Sequence, residues 1–159
     1  MEPRPRVIAS TPAWSIAAYR NVLVNVWRTE VQLEGIRAIE EAITELFGTG
    51  RVAHYGSVTV IESTLSMRIT EEARNESTLL QARWKDKMKC SAYVVEDSTF
   101  MLAGVRTLTA GMSLMTRSPF PIRTFADSPA AADWVAQQMD VDSWSVLNTM
   151  NQARSGSIL

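Results

Sequence analysis

Two residues that most often carry chemistry occur once each in this chain: His54 is the only histidine and Cys90 the only cysteine. A zinc site needs several nitrogen, sulfur or oxygen donors converging on one point, and here neither residue has a second His or Cys to join it. A Ser-His-acid triad would have to run through His54, yet no Gly-x-Ser-x-Gly phrase supplies a nucleophile. His54 lies just before a predicted strand and reads as a surface or loop histidine. Cys90 stands beside Lys87 and Lys89, and cations lower a thiol pKa. Without a histidine to take its proton, it reads as a buried structural cysteine.

The remaining polar clusters have ordinary explanations. Glu40-Glu41 and Glu71-Glu72 are neighbours in sequence, so on a helix their side chains point about 100° apart. They suit a solvated face and a helix N-terminus better than a carboxylate dyad. Arg83, Lys85, Lys87 and Lys89 form a short basic run that reads as a solvated helix end. The phosphate-cradling phrases Gly-x-Gly-x-x-Gly and Gly-x-x-x-x-Gly-Lys are absent, and Gly48-Thr49-Gly50 fits a helix stop. These residues point to no cofactor, no metal and no catalytic set.

The elements that would position any site follow from pattern. The chain has 159 residues, 46% hydrophobic and 21% charged, with a net charge of −1. That is one domain's worth of chain, long enough to bury a core without disulfides or metals. Near-neutral charge gives no general attraction to nucleic acid. No run approaches 18 apolar residues, so no transmembrane segment is expected, and one cysteine fits a cytoplasmic location. Residues 1–13, with three of the six prolines, read as an extended N-terminal arm. Two strands follow, at 14–19 and 21–27, with Tyr19-Arg20-Asn21 as the turn. Val22, Val24 and Val26 alternate with Leu23, Asn25 and Trp27, the period of a pleated strand.

A helix is predicted over 31–47 from the spacing of Ile36, Ile39, Ile43 and Phe47, and a buried strand over 57–62. The second helix spans 71–88, with Thr70 as its N-cap and Leu80, Trp84 and Met88 as its apolar line. A strand at 91–96 leads to a third helix over 99–115, where Met101, Val105, Leu108, Met112 and Met115 form the cleanest amphipathic stripe. Ile122–Phe125 is a short strand. Asp127-Ser128-Pro129 opens a helix running to 139, with a cap followed by proline in the first turn. Residues 140–159 lose the pattern and read as a partly ordered C-terminal tail. The five tryptophans read as core and core-edge packing. Strand alternating with helix predicts an α/β domain over 14–139, with a mixed, mostly parallel sheet of about five strands and four flanking helices.

This order, with three local phrases, resembles the bacterial SpoIIAA-like proteins of the STAS/SEC14-type fold. The segment Pro121-Ile122-Arg123-Thr124-Phe125-Ala126-Asp127-Ser128-Pro129-Ala130-Ala131-Ala132-Asp133-Trp134-Val135 is similar to the family's closing strand, acidic turn and helix. Cys90–Glu96 followed by Asp97 resembles the penultimate strand and helix start, and Asn21–Trp27 the opening strand. The resemblance implies a non-catalytic regulatory or scaffold domain acting through a protein partner, which includes a homodimer. As an alternative it allows a carrier holding a lipid or small apolar ligand in an interior pocket. Related anti-sigma antagonists carry a regulatory serine in the loop after a core strand. Here that loop reads Glu62-Ser63-Thr64-Leu65-Ser66, which makes Ser63, Thr64 and Ser66 the candidate regulatory positions. The Asp-Ser-Ser-Gly phrase is missing, and the same hydroxyls equally suit loop backbone and turn capping.

Overall fold

A computed structural model describes residues 3–62, 69–95 and 119–156. Six strands form one sheet: β1 (Arg6–Ser10), β2 (Trp14–Tyr19), β3 (Val22–Trp27), β4 (Tyr55–Ile61), β5 (Met88–Val95) and β6 (Ile122–Phe125). They lie side by side in chain order. The pairs β1–β2 and β2–β3 are antiparallel, and β3 through β6 run parallel. The described helices are α1 (Leu33–Gly48), α2 (Glu71–Trp84), α3 (Ser128–Met139) and α4 (Ser143–Ser155). The fold is thus the expected α/β class with a mixed sheet.

Period-two alternation distributes the strand residues between two cores. Val22, Val24, Val26, Val58, Val60, Ala92 and Val94 face α3 and α4 in one cluster. Leu23, Trp27, Ile61 and Val95 lie in a second cluster with Ile36 and Ile43 of α1 and Ala73 and Leu80 of α2. The crossovers β3–α1–β4 and β4–α2–β5 step in the same direction across the sheet. Crossovers of one hand then put both helices on the same face. All six residues of β3 are buried, and each buried valine contributes about 1.5–3 kcal/mol relative to exposure.

The caps form as their residue types predict. Thr70 accepts from the Ala73 N–H at 3.1 Å, and Asp127 accepts from the Ala130 N–H at 2.8 Å. In the β2–β3 turn Arg20 is left-handed, with φ 51°. Asn21 instead uses its side chain, donating from Nδ2 to the His54 carbonyl at 2.9 Å and so tying the turn to the start of β4.

Four expectations need correction. Residues 1–13 are not only an arm, because Arg6–Ser10 pairs with β2 and becomes the sixth strand. The second helix stops at Trp84 rather than 88, and Met88 pairs with Tyr55 as the first residue of β5. Its i+4 spacing from Trp84 mimicked another helical turn. Residues 140–159 hold a full helix rather than a loose tail: α4 is N-capped by Asp142, ends at left-handed Gly156, and packs against β1, β2 and β3. The bounds 14–139 are therefore too narrow at both ends. The expected helix over 99–115, with its methionine stripe, lies outside the described residues.

Candidate functional site

The parallel strands β4 and β5 have a helix layer on both faces, and such strands normally read as continuous apolar runs. Here they alternate. Ser57 and Thr59 on β4, and Ser91 and Tyr93 on β5, alternate with the valines and alanines that face α3 and α4. Parallel register sets Leu23, Ser57, Ser91 and Ile122 in one row across the sheet, and Asn25, Thr59 and Tyr93 in the next. The polar side chains therefore share the face covered by α1 and α2.

Between that face and the helices lies a cavity of about 200 Å³. Its walls are apolar: Ile16, Leu23 and Trp27 from the hairpin, Ile36 and Ile39 from α1, Leu80 from α2, and Val31 and Ile69 from the segments beside them. Val31 and Ile69 are joined by a parallel bridge. Tyr55, Met88, Phe120 and Ile122 line it toward the N-terminal ends of β4 and β5, and Ser77 and Gln81 of α2 face it too. The floor carries Asn25, Ser57, Thr59, Ser91 and Tyr93. Among the described residues that line it there is no Asp, Glu, Lys, Arg or His.

The floor is partly satisfied from within. Asn25 accepts from the Trp27 indole N–H at 2.8 Å and donates to the Val58 carbonyl at 3.3 Å. Burial raises the Tyr93 pKa above its ordinary value, with an opposing hydrogen bond from Ser91. Tyr55 is 1% exposed. Burial pushes its phenol far above the usual tyrosine range, with Tyr93 adding to the shift. Both phenols are thus neutral donors near pH 7. The Tyr55 hydroxyl has no hydrogen-bond partner among the described residues, and the Trp84 Nε1 is likewise orphaned. The two belong to one aromatic cluster, in which Phe47 meets Tyr55 edge-on at 5.8 Å and stacks on Trp84 at 5.5 Å. A buried orphan donor costs about 1–3 kcal/mol. Chemically, the cavity offers apolar contact and neutral hydrogen bonds.

The residues singled out by sequence fall elsewhere. Ser63, Thr64 and Ser66 lie outside the described residues. His54 is exposed beside a surface cleft shared with Lys85, Asp86 and Lys89. Cys90 is buried on the α3–α4 face of β5. Burial raises its thiol from 9.0 to about 11, against smaller opposing effects of Lys89 and a backbone hydrogen bond at Ser57. Glu40 is ion-paired with Arg83, which links α1 to α2 and takes Arg83 out of the basic run. Among the described residues no cluster of His, Cys, Asp and Glu is placed to hold a metal ion, and no helix is long and apolar enough to cross a membrane. The signal that sequence reasoning missed is the polar alternation in β4 and β5.

No protein-family model matches the chain, and no curated protein does. A solved structure does. It is an uncharacterized protein of the DUF3478 family from Shewanella loihica, described as having a SpoIIAA-like fold. The match covers 84% of this chain and 93% of that one, with a TM-score of 0.53 and 12% identity. At that identity the likeness concerns the fold, and the fold of this chain is SpoIIAA-like.

Proposed function

We propose that this domain is a non-catalytic binding module that holds a small apolar ligand in the cavity between its sheet and α1–α2. The observation that carries the reading is the cavity itself: apolar walls, a floor of hydroxyls and an amide, and no charged group among its described lining residues. A site of that composition binds by burial and orients by a few hydrogen bonds. The reading includes a cytoplasmic location, supported by a lone buried thiol.

A second reading, a regulatory or scaffold domain acting through a protein partner or a second copy of itself, draws on one observation. Trp144, at the start of α4, is 70% exposed, and exposed tryptophan is enriched at protein interfaces. Native mass spectrometry of the protein purified without denaturant separates the two. A small organic mass that is retained gently and released on unfolding supports the ligand module. A bare dimer or a complex with another protein, with no such mass, supports the second reading.

A further inference from the structure

We propose that the ligand of this cavity is uncharged and carries a hydroxyl, as an alcohol or phenol does, that hydrogen-bonds to the Ser57–Thr59 pair on the cavity floor. The inference rests on the ligand-module reading and adds the chemical class of the occupant.

Both side chains line the cavity from β4. Two residues apart on one strand, they share a face and stand about 6.6 Å from each other along it. β4 is an inner strand, paired in parallel with β3 on one side and β5 on the other. Its backbone is covered by those neighbours, so the surface these two residues expose belongs to their side chains. Ser57 and Thr59 are half-buried, whereas Gly56, Val58 and Val60 beside them are buried. Neither hydroxyl has a hydrogen-bond partner among the described residues, and neither is sealed from contact as the Tyr55 hydroxyl is. They are therefore polar atoms that a molecule in the cavity touches.

Chemistry then narrows the ligand. A serine or threonine hydroxyl donates one hydrogen bond and accepts others, so a ligand group that also does both complements it. A purely apolar occupant would strip water from the two hydroxyls and leave them unpaired, which lowers affinity. No described lining residue carries a charge, and burying an ionised ligand group without a counter-charge is strongly unfavourable. The volume of about 200 Å³ is below the roughly 300–1,000 Å³ of sites for drug-sized ligands. It exceeds the roughly 150 Å³ of an apolar cavity that takes up benzene. A single substituted ring or a short branched chain fits.

The test is calorimetric titration of the wild-type protein and the double variant Ser57→Ala/Thr59→Val with three probes of one size: benzyl alcohol, ethylbenzene and benzylammonium. Benzyl alcohol and ethylbenzene should both bind the wild type, and benzylammonium should not. The double variant removes both hydroxyls with little change of shape. It should weaken benzyl alcohol about three- to tenfold, the range for one neutral hydrogen bond, and leave ethylbenzene unchanged or tighter. Its melting temperature should be unchanged or raised; a lowered one would show that the hydroxyls serve the fold and overturn the proposal. If both uncharged probes bind and the variant does not shift their ratio, the cavity stands as a ligand site and the hydroxyl assignment falls. Benzylammonium binding within threefold of benzyl alcohol overturns the uncharged class. Binding by none of the probes overturns the ligand-module reading, and the inference with it. A measurement that needs no variant is the set of nuclear Overhauser contacts of bound benzyl alcohol. Its CH₂ protons should lie nearer the Thr59 methyl than the Ile36 and Ile39 methyls, and the reverse order contradicts the proposal.

Discussion

Arg28, one residue beyond β3, grips the far end of the chain: its guanidinium donates to the carbonyl oxygens of Ala153 and Arg154, both at 3.0 Å. These carbonyls lie in the last turn of α4, where the helix leaves acceptors without intrahelical partners and the dipole is negative. The same guanidinium donates to the Thr11 carbonyl at 3.1 Å. One side chain therefore joins the loop before β2, the end of β3 and the final helix. Arg28→Ala is predicted to destabilise the fold by about 1.5–3 kcal/mol, the range for hydrogen bonds to a charged group. Urea melts provide the check, and a loss below ~0.5 kcal/mol would show that α4 is held by its apolar face alone.

Gly35 sits under the ring of Trp27. A Cβ at Gly35 would lie 2.5 Å and 2.6 Å from two ring carbons of Trp27 and 3.2 Å from Trp14. Neither indole is a flexible chain end, so α1 would have to lift or Trp27 would have to turn. Gly35→Ala should cost about 1–3 kcal/mol through overpacking, despite the better helix propensity of alanine. Because Trp27 also lines the cavity, the variant should weaken probe binding as well. An unchanged or raised melting temperature would show that the contact relaxes freely.

Asp127 caps α3 through its contact with the Ala130 N–H. Replacing it by alanine removes that acceptor and should cost about 0.5–2 kcal/mol, measured by denaturant melts. Asp127→Asn retains an acceptor and should recover most of the loss. Equal losses in the two variants would assign the effect to the charge rather than to the cap.

Alkaline pH should destabilise the protein through Cys90. Its thiol is raised in the folded state from 9.0 to about 11, so the folded form holds the proton more tightly than the unfolded form. The associated stability is complete below pH 9 and is lost as pH rises through about 11. At pH 10 the loss is on the order of 1 kcal/mol. Tyr55 and Tyr93, also raised by burial, add to the loss only above the ordinary tyrosine value of 10.0. Cys90→Ala should flatten the dependence between pH 8 and 10. A variant with the wild-type slope over that interval would show that the thiol is not the titrating group.

Legibility in the sequence followed how loudly each element announces itself. The β2–β3 hairpin, α1 and the start of α3 were readable because alternating valines, a three-four isoleucine spacing and Asp127-Ser128-Pro129 are strong local signals. β1 reads as part of an arm because Pro3 and Pro5 sit just ahead of a strand only five residues long. In α4 the buried set Val146, Thr149, Met150 and Ala153 has helical spacing, but two of the four are small or polar and the stripe is faint. The α2–β5 boundary carries no glycine or proline. The cavity was harder still. An empty volume is a property of how far α1 and α2 stand from the sheet, which no local pattern encodes. Its floor was nonetheless written in Ser57, Thr59, Ser91 and Tyr93, polar residues at period two in strands that a two-sided parallel sheet would otherwise fill with valine.

The central claim, that the space between the sheet and α1–α2 takes up an apolar molecule, is tested most directly by a methyl-resolved NMR titration with ethylbenzene. Ile36, Ile39, Leu23 and Leu80 line the cavity, while Val135 and Val146 pack on the opposite face of the sheet. The account predicts saturable shifts of the first four methyl groups, with Val135 and Val146 unmoved. No saturable shifts, or shifts centred on Val135 and Val146, would contradict it.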